Sequence, residues 1–335
     1  MKKAIALVAA LTMAASMTAC GSKAEEAPAA EAASSAAADS GDSYVVGICQ
    51  FVQHPALDAA TEGFKDALTE KLGDAVTFDE QNAAGESPAC STIVNQFVSS
   101  KVDLIMANAT PPLQAAAAAT DSIPILGTSV TDYATALEID DWTGATGRNI
   151  SGTSDLAPLA DQAKMLNELF PDAKTVGVLY CSAEANSKYQ CDVITEELTG
   201  MGYEVKAYPF ADSNDIASVT TSATNEVEVI YIPTDNAAAS NTEIVNNICE
   251  PAGIPVIAGE EGICKGCGVA TLSISYYDLG YATGEMAAEI LAEGADVASM
   301  DVRFAPNVTK EYVADRCDKL GVKVADDYVA IEVEE

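Results

Sequence analysis

The sequence contains one histidine, His54, in 335 residues, and it lacks the short motifs of the common catalytic sites. No GxSxG, GxxxxGKS/T or HExxH occurs, and no GxGxxG follows a predicted strand. Ser-His-Asp chemistry would have to use His54, because no other imidazole is available. This residue precedes a proline where a strand pattern gives way to a helix pattern, a place where histidine is more often a cap or polar contact than a general base. The sequence therefore predicts a protein that is not an enzyme.

Metal ligands are equally scarce. The one CxxC pair, Cys264 and Cys267, has no second pair and no histidines at the spacing of zinc sites, so we predict no metal and no cofactor. Apart from Cys20 there are eight cysteines, and in an exported protein an even number permits disulfides without defining their connectivity. Buried free thiols are the alternative. These eight are Cys49, Cys90, Cys181, Cys191, Cys249, Cys264, Cys267 and Cys317.

Positive charge is in short supply as well. There are 17 lysines and arginines against 51 acidic residues, which gives a formal net charge of −34. A surface of this sign repels the phosphates of nucleic acid and anionic lipid, so the chain is expected to bind neither. The net negative charge favours solubility and does not indicate a particular binding partner.

Only one long hydrophobic run is present, and it lies at the N-terminus. Residues 1–19 combine two lysines, an apolar core and small residues, which is the pattern of a secretory signal peptide. The ending MTAC resembles the lipobox of bacterial lipoproteins, in which the thiol of Cys20 would be lipidated; an ordinary secreted protein cut nearby is the alternative. Residues 20–43 lack large apolar side chains and are expected to be a flexible tether. The chain is then anchored by lipid alone, on the outer face of the cytoplasmic membrane or on the periplasmic side of an envelope with an outer membrane.

Strand and helix patterns alternate from Tyr44 onward with short connections, which is typical of parallel sheets flanked by helices. In the first half, strands are predicted at 44–52, 75–80, 102–108 and 123–129, and helices begin near Pro55, Ser87 and Thr110. After a passage rich in Gly, Ser and Thr near 147–156, the alternation restarts. In the second half, helices are predicted over 156–170, 187–199 and 237–249, and strands over 174–181, 203–210, 228–233 and 254–260. We therefore expect two similar α/β halves joined by a hinge.

Polar side chains collect where these predicted strands end. In open α/β sheets, ligands bind in the crevice outside the carboxyl ends of the strands, so two facing halves would enclose a ligand in a cleft. Each of these polar residues alone could equally be a helix cap or part of a turn. Their common placement at strand ends is what favours a ligand-binding site. The candidate ligand-binding residues are Phe51, Gln53, His54, Asn108, Thr110, Thr128, Thr131, Asp132, Tyr180, Asn186, Asp235, Asn236, Glu260 and Tyr276.

Five segments carry a resemblance to a known family. They are HPALDAATEGF at 54–64, NISGTSD at 149–155, VGVLYCSAEANSKYQ at 176–190, IYIPTDN at 230–236 and GVATLSISYYDLGYATGEMAAEIL at 268–291. In this order they resemble the ABC-transporter substrate-binding proteins that include tryptophan and phenylalanine binders, over residues 44 to 320.

The resemblance implies a type I periplasmic-binding-protein fold, in which two Rossmann-like lobes are joined by three crossing segments and close on a small ligand. The crossings should fall near 150–155, 271–276 and 301–306. The first lobe would then contain 44–150 and 276–301, and the second 151–275 and 302–335. The partners would be an ABC permease and, through it, its ATPase, and the binding protein itself is expected to be a monomer.

The ligand implied is an amino acid with an aromatic or large apolar side chain. Asp235 is the carboxylate we expect to bind its ammonium, and hydroxyls and backbone N–H groups at helix starts would bind its carboxylate. Three alternatives stay open from the sequence. They are a receptor domain of the same fold that delivers ligand to a membrane sensor, a binder of sugars or nucleosides, and a secreted enzyme.

Overall fold

A computed structural model describes residues 43–305 and 307–333. The predicted signal peptide, Cys20 and nearly all of the predicted tether lie outside the described residues. Within the described ranges, none of the helices is both long and apolar enough to cross a membrane.

The chain forms two sheets with helices on their faces. The strands are β1 Tyr44–Gln50, β2 Val76–Asn82, β3 Leu104–Asn108, β4 Ile125–Val130, β5 Ile150–Ser154, β6 Thr175–Cys181, β7 Glu204–Phe210, β8 Val229–Ile232, β9 Val256–Ala258, β10 Ala270–Ser273, β11 Arg303–Phe304, β12 Thr309–Tyr312 and β13 Val329–Ala330. The helices are α1 Pro55–Leu72, α2 Ser87–Ser100, α3 Thr110–Ala119, α4 Tyr133–Leu137, α5 Leu159–Leu169, α6 Ala185–Gly200, α7 Ile216–Thr224, α8 Asn236–Ala239, α9 Thr242–Ala252, α10 Glu261–Cys267, α11 Tyr276–Glu293 and α12 Ala314–Leu320.

The first sheet has the order β11-β5-β4-β3-β1-β2, and all of its pairings are parallel. Successive residues of a strand point to opposite faces, so a strand covered on both sides is apolar throughout. In β3, Leu104 and Met106 pack with α1 and α11, whereas Ile105 packs with α2 and α3 on the opposite face. This lobe is therefore a sheet buried between two helical layers.

The second sheet has the order β13-β12-β10-β9-β8-β6-β7 and is parallel except where β10 meets β12. Its strands also supply two cores. In β8, Tyr231 faces the core that contains α5 and α6, whereas Ile230 and Ile232 face the core that contains α7 and α9. The expected fold class, α/β with two Rossmann-like halves, is confirmed by the two sheets.

The chain passes between the two sheets three times: after β5, after β10 and after β11. These passages lie at or next to the crossings expected near 150–155, 271–276 and 301–306. Both β5 and β11 belong to the first sheet. The expected lobe limit after residue 150 therefore falls within β5, and the limit after residue 301 falls just before β11. The lobe limits themselves stay a prediction.

Helix α11 returns from the second lobe and packs directly on α1. At Gly280 an added Cβ would lie 1.9 Å from the carbonyl oxygen of Ala60, and at Gly63 it would lie 2.1 Å from the carbonyl oxygen of Tyr277. Only glycine allows two helix backbones to approach this closely. The contact fixes the start of α11, and with it Tyr276, beside the ends of the first-sheet strands.

One predicted helix is divided in the structure. The helix expected over 237–249 is present as α8 and α9, with a break at Ser240 and Asn241. The Ser240 hydroxyl and the Asn241 amide donate hydrogen bonds to the carbonyl oxygens of Asn236 and Ala237, and such side-chain bonds compete with the regular helical pattern.

Candidate functional site

The carboxyl ends of the two sheets face each other and enclose a cavity of about 10 Å³, close to the volume that one water molecule needs. Both lobes contribute to its wall, so the lobes are closed on one another. The lining residues are His54, Leu57, Ser129, Asp155, Asn186, Thr234, Asp235, Asn236, Ala239, Glu260 and Tyr276. Six of them are among the residues predicted from the sequence: His54, Asn186, Asp235, Asn236, Glu260 and Tyr276.

Unpaired polar atoms concentrate at this cavity. Four buried atoms of its wall have no hydrogen-bond partner among the described residues: His54 Nδ1, Ser129 Oγ, Asp155 Oδ1 and Asn186 Oδ1. Buried polar atoms in folded proteins are nearly always paired, because an unpaired one costs about 1 to 3 kcal/mol. One polar group of the size of a water molecule in the cavity could pair with these atoms.

Asp155 is a lining carboxylate with one unpaired oxygen. It follows β5 directly, and it is 5% exposed. One carboxyl oxygen, Oδ2, accepts a hydrogen bond of 2.9 Å from the Tyr276 hydroxyl, and Oδ1 is buried without a partner among the described residues in a side chain that lines the cavity. Burial raises the pKa of Asp155 to about 6, against the opposing effects of hydrogen bonding with the Tyr276 and Thr131 hydroxyls and with the backbone N–H of Asp155 itself. In the described part of the chain, the lysine and arginine ion pairs all involve other carboxylates.

The other two carboxylates that line the cavity are helix caps. Asp235 accepts from the backbone N–H of Ala238 at 2.8 Å through Oδ1, and from the N–H of Cys181 at 2.6 Å through Oδ2. Glu260 accepts from the backbone N–H groups of Gly262 and Ile263, the second and third residues of α10. Asp235 thus lies in the wall as expected, but backbone donors already bind both of its oxygens. The ammonium role that we predicted for Asp235 stays a prediction.

Two side-chain hydrogen bonds join the lobes across the cleft. His54 Nε2 lies 3.2 Å from Asn236 Oδ1, and Gln190 Nε2 donates to Thr131 Oγ1 at 3.0 Å. Asn236 Nδ2 in turn donates to Glu184 at 2.5 Å. Burial lowers the pKa of His54, so its imidazole is neutral at neutral pH. His54 is therefore a contact between the lobes, as its place between strand and helix suggested.

The remaining predicted residues lie around the cavity or away from it. Gln53 is exposed, and it borders a polar groove on the first lobe. Phe51 is buried beside a cavity of about 330 Å³ at the mouth of the cleft, and Tyr180 packs against the core of the second lobe. Thr110 is buried at the start of α3, and its hydroxyl is unpaired among the described residues.

Three more of the predicted residues hold the framework. The amide of Asn108 donates to the Leu57 carbonyl at 2.8 Å, which ties β3 to α1. The Thr128 hydroxyl lies 3.2 Å from that of Thr153, between β4 and β5. Asp132 caps α4 by accepting from the Thr135 N–H at 2.7 Å.

The predicted list lacks five residues that line the cavity: Leu57, Ser129, Asp155, Thr234 and Ala239. It also lacks Glu184, which lies behind the cavity wall and accepts a hydrogen bond from Asn236. Ser129 lies inside a segment that the pattern did single out, at the end of β4, where a left-handed backbone with φ of 54° turns the chain. Asp155 lies in the passage interpreted only as a hinge. Its position directly after a predicted crossing strand is the signal that could have identified it.

A model of the family "ABC transporter substrate binding protein" matches residues 45–332 of this chain. The chain belongs to this family. It is 39% identical over 267 residues to the tyrosine-binding protein of Clostridioides difficile (strain R20291), a match that covers 79% of this chain and 77% of the relative.

Two solved structures of this kind differ in ligand state. A Streptococcus pneumonia ABC domain in complex with L-Trp is 31% identical, with a TM-score of 0.81 over 85% of this chain and 97% of that one. A ligand-free, open structure of a Clostridium difficile substrate-binding protein with adhesive properties is 37% identical, with a TM-score of 0.66 over 87% of this chain and 100% of that one. The structural similarity is thus higher to the complex although the identity is lower. This order agrees with the closed cleft described above, and the family membership confirms the expected fold and the expectation that the protein is not an enzyme.

Proposed function

We propose that this substrate-binding protein captures an amino acid with an aromatic or large apolar side chain in the cleft between its lobes. The observation that carries the proposal is Asp155, a buried carboxylate with an unpaired oxygen in the wall of the cavity. A buried carboxylate needs a cation or several hydrogen bonds, and the α-ammonium of an amino acid supplies both. The names of the relatives, a tyrosine-binding protein and a domain that binds L-Trp, support the same ligand class.

The carboxylate of the ligand needs donors, and the cavity offers hydroxyl and backbone groups for it. Ser129 is a donor of this kind, because its hydroxyl is buried in the wall and has no partner among the described residues. The side chain of the ligand would extend toward the mouth of the cleft, where Phe51 and Val52 border a cavity of about 330 Å³. This cavity combines apolar residues, such as Phe51, Val52 and Ala183, with polar ones, such as Glu86, Asp212 and Asn241, and a phenol ring, which has an apolar face and a polar hydroxyl, suits such a mixed wall.

Binding requires the lobes to move. An amino acid is much larger than the 10 Å³ that the closed lobes enclose, so it enters an open cleft and holds the lobes less tightly closed than they are here. A ligand that contacts both lobes stabilises the closed forms by its differential affinity for them. The three passages between the sheets would act as the hinge.

The place of the protein in the cell completes the proposal. The N-terminal pattern supports export and lipidation at Cys20, which would hold a monomer at the outer face of the cytoplasmic membrane, or on the periplasmic side of an envelope with an outer membrane. From there it would deliver its ligand to an ABC permease powered by an ATPase. A receptor domain that reports to a membrane sensor would use the same cleft, and a permease and ATPase gene pair beside this gene favours the importer.

A thermal-shift screen of the purified protein against amino acids, sugars and nucleosides tests the ligand class. A ligand at 100 times its dissociation constant adds about 2.7 kcal/mol to the free energy of unfolding. We expect shifts with tyrosine, tryptophan or phenylalanine and none with sugars. Shifts with sugars or nucleosides alone would contradict the proposal.

A further inference from the structure

Three of the unpaired atoms in the cavity wall can be identified as hydrogen-bond acceptors. They belong to Asp155, Asn186 and His54, which come from different parts of the chain and meet only in the closed cleft. Asp155 Oδ1 is an acceptor because it belongs to a carboxylate. For Asn186 and His54 the character follows from what the other end of each side chain contacts.

Asn186 presents its oxygen to the cavity. Its Nδ2 lies 3.1 Å from the carbonyl oxygen of Thr234 and 3.3 Å from Oε2 of Glu184, and both of these atoms accept hydrogen bonds. The amide nitrogen must therefore face them, since the reverse orientation would place three oxygens together. Asn186 Oδ1, which has no partner among the described residues, is an acceptor that faces the cavity.

A chain of hydrogen bonds determines the tautomer of His54 in the same way. The Glu184 carboxylate accepts from the backbone N–H of Ala237 at 3.0 Å and from that of Asn236 at 3.3 Å, so it is an acceptor. Asn236 therefore turns Nδ2 toward Glu184 and Oδ1 toward His54. Because Oδ1 only accepts, His54 Nε2 must carry the proton, and Nδ1 of the neutral ring keeps its lone pair.

We propose that Glu184 and Asn236 hold His54 as its Nε2–H tautomer, so that His54 Nδ1, Asp155 Oδ1 and Asn186 Oδ1 together accept the three protons of a primary ammonium. The assignment rests on the proposed amino-acid function. The enclosed volume of about 10 Å³ is that of one water-sized group, which an ammonium matches, and the rest of the ligand requires the wider cleft described above. His54 comes from the first lobe and Asn186 from the second, so a ligand bound in this way bridges the lobes. Glu184 and Asn236 act as positioning residues through His54.

The tautomer can be read directly, because the whole chain contains a single histidine. Nitrogen NMR of the full chain labelled with ¹⁵N-histidine, and purified without a histidine tag, gives signals from this one ring. We expect a protonated Nε2 and an unprotonated Nδ1 at pH 8, where Glu184, with its pKa raised by burial to about 7, is ionised, before and after addition of L-tyrosine. A proton on Nδ1, or a doubly protonated ring, would overturn the proposal.

A matched pair of variants tests the positioning role. Asn236→Ala removes the acceptor next to Nε2 and should reduce the tautomer preference to the weaker one of a free neutral histidine, so that the two ring nitrogens give signals averaged over both tautomers. Asn225→Ala removes an exposed amide from the end of α7 and should leave the His54 spectrum unchanged. An unaltered tautomer in Asn236→Ala would contradict the role of Asn236.

N-methylation of the ligand tests the count of three acceptors. N-methyl-L-tyrosine keeps the positive charge but has two N–H donors, so one buried acceptor loses its partner. We expect it to bind about tenfold to a hundredfold more weakly than L-tyrosine by calorimetry. His54→Phe should weaken L-tyrosine binding and reduce the difference between the two ligands. Equal affinity for both ligands in the wild type would overturn the assignment. If no amino acid binds at all, the proposed function and the ammonium assignment both fail. The tautomer of His54 in the ligand-free chain then still tests whether Glu184 and Asn236 position His54.

Discussion

Replacement of Asp155 by Asn removes the charge of the one lining carboxylate that has an oxygen without a partner among the described residues. The volume and the hydrogen bond with the Tyr276 hydroxyl can both be kept, so the change is electrostatic. In the variant a bound ammonium would be buried without its counter-charge. Removal of one partner from a buried charge pair costs about 3 to 5 kcal/mol. This corresponds to affinity that is roughly a hundredfold to several thousandfold lower.

The change in ligand affinity with pH provides a second, independent test of Asp155. Asp155 must be ionised to bind an ammonium, and its pKa in the ligand-free protein is about 6. At pH 5 only about one carboxyl in eleven is ionised, so the apparent dissociation constant of the wild type should be about tenfold higher than at pH 8. Asp155→Asn has no such group, and its weaker binding should therefore lose most of this dependence.

Stability separates this effect from simple misfolding. A carboxyl group whose pKa is raised in the folded state stabilises the fold below its unfolded pKa and loses that contribution as the pH rises through the folded value. At pH 7.5, ionised Asp155 therefore destabilises the ligand-free protein, and Asp155→Asn should raise its free energy of unfolding by about 1 to 3 kcal/mol. The variant should be more stable and yet bind less.

Isothermal titration at pH 5 and pH 8, together with urea unfolding, measures these quantities. The control is Asp161→Asn, which changes an exposed carboxylate on α5 and should leave affinity unchanged. Unchanged affinity in Asp155→Asn, or equal wild-type affinity at the two pH values, would refute the role of Asp155.

Three further predictions concern the fold, its pH dependence and the anchor. Gly280→Ala should destabilise the protein by about 1 to 3 kcal/mol in urea, because the new methyl overlaps α1, whereas Gly200→Ala, with open space around it, should be neutral or slightly stabilising. Burial raises the pKa of Glu184 and of Glu260 to about 7. The folded state therefore binds more protons than the unfolded state between about pH 4 and 7, and the ligand-free protein should be less stable at pH 8 than at pH 5. Stability that increases toward pH 8 would contradict this. Cys20→Ser should move the protein from the membrane fraction to the soluble fraction or block its processing; a wild type found wholly in the soluble fraction argues against lipidation.

The alternation of strands and helices could be predicted from the sequence because it depends on local patterns. Most predicted elements match the observed ones within a few residues, and prolines mark the start of α1, α2 and α3. The division of the helix at Ser240 was not predicted, since it depends on side-chain bonds to nearby carbonyls. The residues at strand ends were found as a group because topology brings strand ends together.

The roles of individual site residues could not be predicted, because partners distant in the chain determine them. Asp235 and Asp155 both follow strands, and only the fold reveals that Asp235 is bound by the N–H of Cys181 while one oxygen of Asp155 is left unpaired. The partner of His54 is Asn236, 182 residues away. Local spacing carries no information on contacts of this kind.

Calorimetric titration of the wild type with L-tyrosine and with 3-(4-hydroxyphenyl)propionate tests the central claim most directly. The two molecules share the ring and the carboxylate, and only the first has an α-ammonium. If the cleft binds amino acids through Asp155, L-tyrosine should bind, and its deaminated analogue should bind at least a hundredfold more weakly, because the buried carboxylate keeps no counter-charge. Equal affinity for the two, or binding of the deaminated analogue alone, would contradict the account.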